Sequence, residues 1–398
     1  MLNLSSLTKD KALKAMARAL RKNKDKILRA NYKDLAQAKE RGSSAAFLDR
    51  LTLTEKRIEE MARVLEDIAG LADPVGTVIK RWNRPNGLQI QKVRSPIGTV
   101  LIIYESRPNV TSDCLGLCLK SGNSLILKGG SDSLNSNLAI YKIIKQVAVR
   151  NKIPARAINL VATNDRRAVE ILLKLNDYID LVMPRGGEGL IKTVARLSRI
   201  PAIKHYKGIC HVYVDKAADL NMAQKICFNA KVERPGVCNA MESMLVHKDI
   251  AARFLPQMLK VFKIAGVQIR GCAVTQKLGE GVRKATEKDY RSEYLGLILS
   301  VKVVAGLQQA IRHINFYGSH HSDSIVTERR KDALEFLKRV DSACVYVNAS
   351  TRFTDGHQFG LGAEIGISTD KLHARGPVAL EELTTYKYEV FGSGQIRT

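Results

Sequence analysis

Residues 99–130 read TVLIIYESRPNVTSDCLGLCLKSGNSLILKGG. Two apolar runs, TVLIIY and NSLILK, flank a segment that puts Cys114 and Cys118 four apart, on one face of a helix. Each run is short and almost wholly apolar, as expected of a strand buried on both faces. The stretch therefore predicts strand, helix, strand: one unit of a mostly parallel sheet. The rhythm returns in INLVA, YIDLVMPRGG and CHVYVD. Beyond Cys238 it renews in ESMLVHK, YLGLILSVKVV, DSIVTE and SACVYVNAS, with helical segments such as ARFLPQMLKVFKIAG between. The sum is an α/β protein with two sheet-bearing domains, for which nucleotide binding is a live hypothesis.

Before residue 80, KALKAMARAL and KRIEEMARVLEDIAGL repeat apolar positions at helical spacing and predict packed helices. NGLQIQKVRSPIG alternates apolar and polar residues after the turn Pro85-Asn86-Gly87, which suits a strand pair. The tail GPVALEELTTYKYEVFGSGQIRT ends in a β-prone segment with no domain of its own, so it is expected to complete a sheet elsewhere, in this subunit or another.

With 398 residues, 45% hydrophobic and 26% charged, the chain can bury two or three cores. No apolar run is long enough for a membrane span and the N-terminus has no signal-peptide core, so a cytoplasmic location is expected. Seven cysteines without regular spacing predict free thiols rather than a disulfide framework. The formal charge of +25 points toward anions, but the basic residues are scattered among acidic ones and no nucleic-acid-binding motif accompanies them. Anionic small molecules are the expected partners, and nucleic acid and membrane are not.

Lys128 closes a strand and precedes Gly129 and Gly130, while Arg185 precedes Gly186 and Gly187 at another strand end. Two such turns suit a dinucleotide, with backbone N–H groups facing phosphate; the plain alternative is a pair of ordinary strand-to-helix turns. In ERPGVCNAMESM, residues 233–244, the single thiol of Cys238 follows a Pro235-Gly236 turn. It is either a parked core thiol or a nucleophile, to be promoted by a helix N-terminus or by Arg234 and opposed by Glu233. Cys114, Cys118, Cys210 and His211 lack the spacing of a metal site, and His320-His321 reads as a polar loop; no metal is expected.

Together the segments YESRPNVT, LKSGNSLILKGG, YIDLVMPRGGEGLI, CHVYVD, RPGVCNAMESMLVH and VNASTRFTDGHQFGLGAEIGISTDKLHARGP resemble, in order, those of the gamma-glutamyl phosphate reductase family, within the aldehyde dehydrogenase superfamily. The resemblance implies NADPH-dependent reduction of glutamyl 5-phosphate to glutamate 5-semialdehyde through a cysteine thioester, a step of proline biosynthesis. It implies an aldehyde-dehydrogenase-like fold: a Rossmann-type cofactor domain over residues 1–80 and 97–205, an α/β catalytic domain over 206–370, and a small β oligomerisation element with the C-terminal tail over 81–96 and 371–398. A homodimer or a dimer of dimers is expected.

By the same resemblance Cys238 is the nucleophile, and its own backbone N–H joins the oxyanion hole. Lys128 is the lysine of the adenosine ribose, Glu293 in EYLGLI holds the nicotinamide ribose, and Arg185, Gly186 and Gly187 form the second cofactor turn. Asn109 is a candidate second oxyanion donor, although the superfamily's asparagine aligns nearer Glu105. Arg107 and Arg352 are expected either to bind the substrate's carboxylate and phosphate in bidentate fashion or to serve as structural ion-pair partners. The superfamily's general-base glutamate has no counterpart in IKHYKGICH, as befits an enzyme that never hydrolyses its thioester. Val232, Glu233 and His357 depart from the family pattern. Asp132 leaves NADPH and NADH both open, since it can repel a 2'-phosphate or cap a helix.

Overall fold

The computed structural model describes residues 1, 4–204 and 207–397. It divides into two compact units, Met1–Lys204 with Gly360–Gly366 and Pro377–Thr398, and His205–Phe359 with Ile367–Gly376.

In the first unit, helices Ser6–Lys22 and Glu55–Gly70 begin at Ser5 and Thr54, whose hydroxyls accept the Thr8 and Arg57 N–H groups. Their apolar stripes bury Leu13, Met16, Leu20, Met61, Leu65 and Ile68. Two strands pair around Pro85–Gly87, β1 (Val78–Asn83) and β2 (Gln89–Pro96), and β3 (Thr99–Tyr104), β4 (Ser124–Gly129), β5 (Ile158–Leu160) and β6 (Leu181–Arg185) follow. The last four form one parallel sheet in the order β5-β4-β3-β6. The linking helix Val110–Lys120 is buried at nearly every residue, and Gly116 lets Leu65 and Ile68 approach its backbone. The apolar continuity read at residues 99–130 thus reflects burial on both sides.

The C-terminal strand Thr384–Phe391 pairs antiparallel with β2 of the same chain, from Thr384 opposite Pro96 to Phe391 opposite Gln89. Tyr386, Tyr388, Val390 and Phe391 are exposed on it.

The second unit carries β7 (Cys210–Val214), β8 (Met241–His247), β9 (Gln268–Gly271), β10 (Arg283–Lys284), β11 (Ile298–Val304), β12 (Ser322–Val326) and β13 (Cys344–Val347). They form one parallel sheet in the order β10-β9-β11-β8-β7-β12-β13. Both β7 and β8 are buried at every residue. Helix Lys248–Ile264 covers one face through Phe254, Leu255, Met258 and Phe262, and Tyr213, Ile311, Ile314 and Phe336 fill the other. The sequence patterns did not anticipate β9 and β10, because QIRG and RK are too short and polar to carry an alternation. Among the described residues, no helix is long and apolar enough to cross a membrane.

Candidate active site

Each unit brings part of the expected site together. In the first, Lys128 lies at the carboxyl end of β4, 5% exposed. Its ammonium donates to the Gly129 and Thr163 carbonyl oxygens, at 2.9 and 3.0 Å, and burial lowers its pKa. An ammonium has three donors, so one hydrogen remains for a ligand oxygen. Gly129 is required by close packing: a Cβ there would run into the Asn137 amide and the Tyr104 ring. Gly130 opens the turn Ser131–Ser133 ahead of helix Leu134–Arg150. These residues fit the ribose side of a dinucleotide. Asp132 pairs with Arg41 at 2.9 Å, so the acid of this turn is neutralised by a cation.

The second turn is arranged differently. The Gly187 N–H, at the start of helix Glu188–Leu197, donates to Glu105 Oε2 at 2.8 Å, so a carboxylate of the chain already meets this helix N-terminus. Gly186 allows this approach, since a Cβ there would crowd that carboxylate. The Arg185 guanidinium packs on Gly366, and its Nε is buried without a partner. Asn109 is exposed near the start of the Val110–Lys120 helix and gives one amide hydrogen to Asp113 Oδ2 at 2.9 Å. Burial pushes the Asp113 carboxyl up to about 6, against hydrogen bonds from Asn109 and Ser112. Arg107 lies in the loop between β3 and that helix, partly buried.

In the second unit, helix Leu220–Val232 ends at Glu233 and the chain turns through Pro235 and Gly236 to Cys238, three residues before β8. The thiol therefore stands at the amino-terminal ends of β7 and β8, not at a helix N-terminus. Cys238 is half-buried, whereas Cys114, Cys118, Cys210 and Cys227 are buried. Burial pushes those four thiols up, Cys118 to about 12. The Cys238 carbonyl is fixed by Cys210 Sγ at 3.2 Å. Gly208 lies so close that a Cβ on it would overlap the Cys238 backbone. The Gly208 N–H donates to Glu293 Oε1 at 2.8 Å, which ties the expected ribose ligand to the residue that abuts the Cys238 backbone.

Asn239 ties this turn to a second loop. Its amide donates to the carbonyls of Arg352 and Thr354, and its oxygen accepts from the Arg352 guanidinium. Arg352 Nε stands 3.3 Å from Glu233 Oε2. Arg352 thus lies beside Cys238 in sequence-distant chain, held by the acid that departs from the family pattern. His357 is exposed in the same loop, its N–H on Asp355 Oδ1. Of IKHYKGICH, His205 and Tyr206 lie outside the described residues.

The pattern of residue types in this chain matches that of the aldehyde dehydrogenase family over residues 3–279. The gamma-glutamyl phosphate reductase of Thermodesulfovibrio yellowstonii is 56% identical over 389 residues, 98% of this chain and 93% of that protein. That of Thermoanaerobacter pseudethanolicus is 57% identical over 394 residues, 99% and 95% of the two chains. The crystal structure of the Thermotoga maritima gamma-glutamyl phosphate reductase superposes with a TM-score of 0.97 at 48% identity, covering 100% of this chain and 96% of that one. The chain belongs to the aldehyde dehydrogenase family, among its gamma-glutamyl phosphate reductases. Its two parallel sheets are the α/β fold that this membership requires.

Four features of the chain escaped sequence reasoning. Gly208 carries no local pattern because its partner Glu293 is distant in sequence, and Lys231 and Glu242 carry none because they lie on different elements, a helix and a strand. His321, expected in a polar loop, is fully buried with Nδ1 2.8 Å from Ser322 Oγ. Cys272 is a second half-buried thiol; burial pushes its pKa up, but hydrogen bonds from Thr275 and the Val303 N–H bring it below the ordinary value. Its position before a short helix was the available signal. Among the described residues, no group of His, Cys, Asp and Glu is arranged to hold a metal ion.

Proposed function

We propose that this protein reduces L-glutamyl 5-phosphate to L-glutamate 5-semialdehyde and phosphate with NADPH, in proline biosynthesis. The observation that carries the reading is Cys238: a half-exposed thiol whose carbonyl is pinned by Cys210 and whose neighbours Asn239 and Arg352 are fixed.

The Cys238 thiolate attacks the acyl carbon, the bond to the phosphate oxygen breaks, and phosphate leaves with that electron pair. The Cys238 N–H stabilises the oxyanion, and Asn109 is the second candidate donor. The resulting thioester is reduced by hydride, the chemistry that NADPH supplies when bound, and breaking of the C–S bond returns the thiolate. No residue need activate water, in keeping with the missing general-base glutamate. Arg352 and Arg107 receive the substrate's carboxylate and phosphate, Arg352 by exchanging Glu233 for a substrate anion. Lys128 with Gly129 and Gly130 holds the adenosine ribose, Glu293 the nicotinamide ribose, and Arg185, Gly186 and Gly187 the second turn. Preference for NADPH is supported by Arg41, which neutralises Asp132 and offers a cation to a 2'-phosphate. The exposed aromatic residues of strand Thr384–Phe391 suit contact with a second copy of the chain, as a dimer or tetramer, and seven free cysteines suit the cytoplasm.

The test is steady-state reduction of NADP+ with glutamate semialdehyde and phosphate, set against other short aldehydes and against NAD+. The highest kcat/KM belongs to glutamate semialdehyde with NADP+; a clear preference for a non-glutamyl aldehyde would reject the substrate assignment.

A further inference from the structure

Lys231 and Glu242 are the two ends of the segment that carries Cys238. Lys231 lies in the last turn of helix Leu220–Val232 and Glu242 is the second residue of β8. Both side chains are 0% exposed, and Lys231 Nζ meets Glu242 Oε2 at 2.6 Å. A buried ion pair contributes little net stability over a well-packed apolar pair, so stability alone does not explain its presence. The other carboxylate oxygen has a separate task. Glu242 Oε1 accepts the N–H groups of Tyr294 and Leu295, each at 3.1 Å. These two residues follow Glu293 directly, and Leu295 is held at a φ of 52°, a conformation leucine rarely adopts. Glu293 in turn accepts from Gly208, which abuts the Cys238 backbone, and the Leu295 carbonyl faces Gly236 of the same turn.

We propose that Glu242 is a positioning residue, with Lys231 as its charge partner: one carboxylate sets the Cys238 turn and the Glu293 segment in a fixed mutual register. The proposal rests on the reading of Cys238 as nucleophile and of Glu293 as a cofactor ligand. Burial raises the Glu242 pKa to about 7 against the pull of Lys231, and burial lowers that of Lys231. Whichever partner holds the proton, Oε1 remains an acceptor for the two N–H groups.

Two double variants separate register from stability. Lys231→Met with Glu242→Gln removes the ion pair and keeps an acceptor; Lys231→Met with Glu242→Leu removes both. Both replace the buried charges together; the glutamine variant is expected to melt within about 4 °C of the wild type. The leucine variant is expected to melt a few degrees lower, because the Tyr294 and Leu295 N–H groups lose their acceptor, so kcat is compared well below both melting points. The leucine variant is expected to lose about 10²-fold in kcat, since misplacement of reacting groups by about an ångström has that effect. The glutamine variant is expected to stay within about threefold, since both backbone hydrogen bonds persist. Equal kcat in the two variants overturns the proposal. Should the leucine variant not fold, the glutamine variant decides alone: a 10²-fold loss at near-native Tm also overturns it. The comparison uses whichever aldehyde the wild type oxidises, so it survives a wrong substrate assignment, whereas a wrong nucleophile is exposed by the Cys238 variant below.

Discussion

Cys238→Ala is expected to lose at least about 10⁴-fold in turnover while binding NADPH as the wild type does. The two effects separate because Lys128 to Gly130, proposed to hold the adenosine ribose, belong to a different unit of the chain from the thiol, and the proposed nicotinamide-ribose ligand Glu293 bonds Gly208 and not the Cys238 side chain. Fluorescence titration of NADPH and steady-state rates on the same preparation check both halves. Cys272→Ala is the necessary control. Like Cys238 it is half-buried, and its pKa lies below the ordinary value, so labelling by a thiol reagent would not by itself identify the nucleophile. Substitution does tell them apart: the Cys272 variant keeps turnover. Retained turnover in the Cys238 variant, or its loss in the Cys272 variant, would move the nucleophile elsewhere.

Gly208→Ala is expected to be nearly as damaging to catalysis, although residue 208 holds no chemical group. The added Cβ would overlap the carbonyl oxygen, carbon and Cα of Cys238, all backbone atoms that no rotamer change can move aside. The Cys238 turn, the Gly208 bond to Glu293, or both must shift. Forcing an extra carbon into such a seat costs about 1–3 kcal/mol of stability, and displacing the thiolate from its line of attack costs about 10²-fold in kcat. Gly236→Ala in the same turn supplies the contrast. There the nearest atom, the Leu295 carbonyl oxygen, is 3.8 Å away, so alanine fits. Thermal melts and kcat for the two variants should diverge; a Gly208→Ala enzyme with wild-type kcat would show that the seat is not tight.

This contrast shows what the sequence reveals and what it hides. The turn before Cys238 is legible because Pro and Gly mark it locally. Which glycine is indispensable is not, because the answer lies in a contact between residues 30 positions apart in chain, on the ends of β7 and β8. The parallel sheets are legible for a related reason: burial on both faces leaves a continuous apolar run in a single short segment, as in TVLIIY and CHVYV. β9 and β10, with four and two residues, leave no such trace; β9 takes its place through its neighbour β11, and β10 through β9. Strand Thr384–Phe391 is recognisable as β-prone, but nothing in it names β2 as its partner.

The same limit applies to charge. Arg352 could be read as a substrate ligand or as an ion-pair partner, and the structure shows it bound to Glu233 and Asn239. Glu105 offered no sign that it would take the N–H of Gly187. The departures at residues 232 and 233 stood out against the family pattern, yet only the fold shows that Glu233 faces a guanidinium.

The most direct test of acylation at Cys238 is a reaction run backwards without phosphate. Enzyme, NADP+ and glutamate semialdehyde are mixed, NADPH is followed by absorbance, and the protein is then digested for mass spectrometry. With no phosphate to take the acyl group and no counterpart of the superfamily's general-base glutamate, one NADPH per active chain should form in a burst and stop. The acyl group should be found on the peptide bearing Cys238, and added phosphate should restart turnover. Continuous NADPH formation without phosphate, or a burst with the adduct on any other residue, would contradict the account.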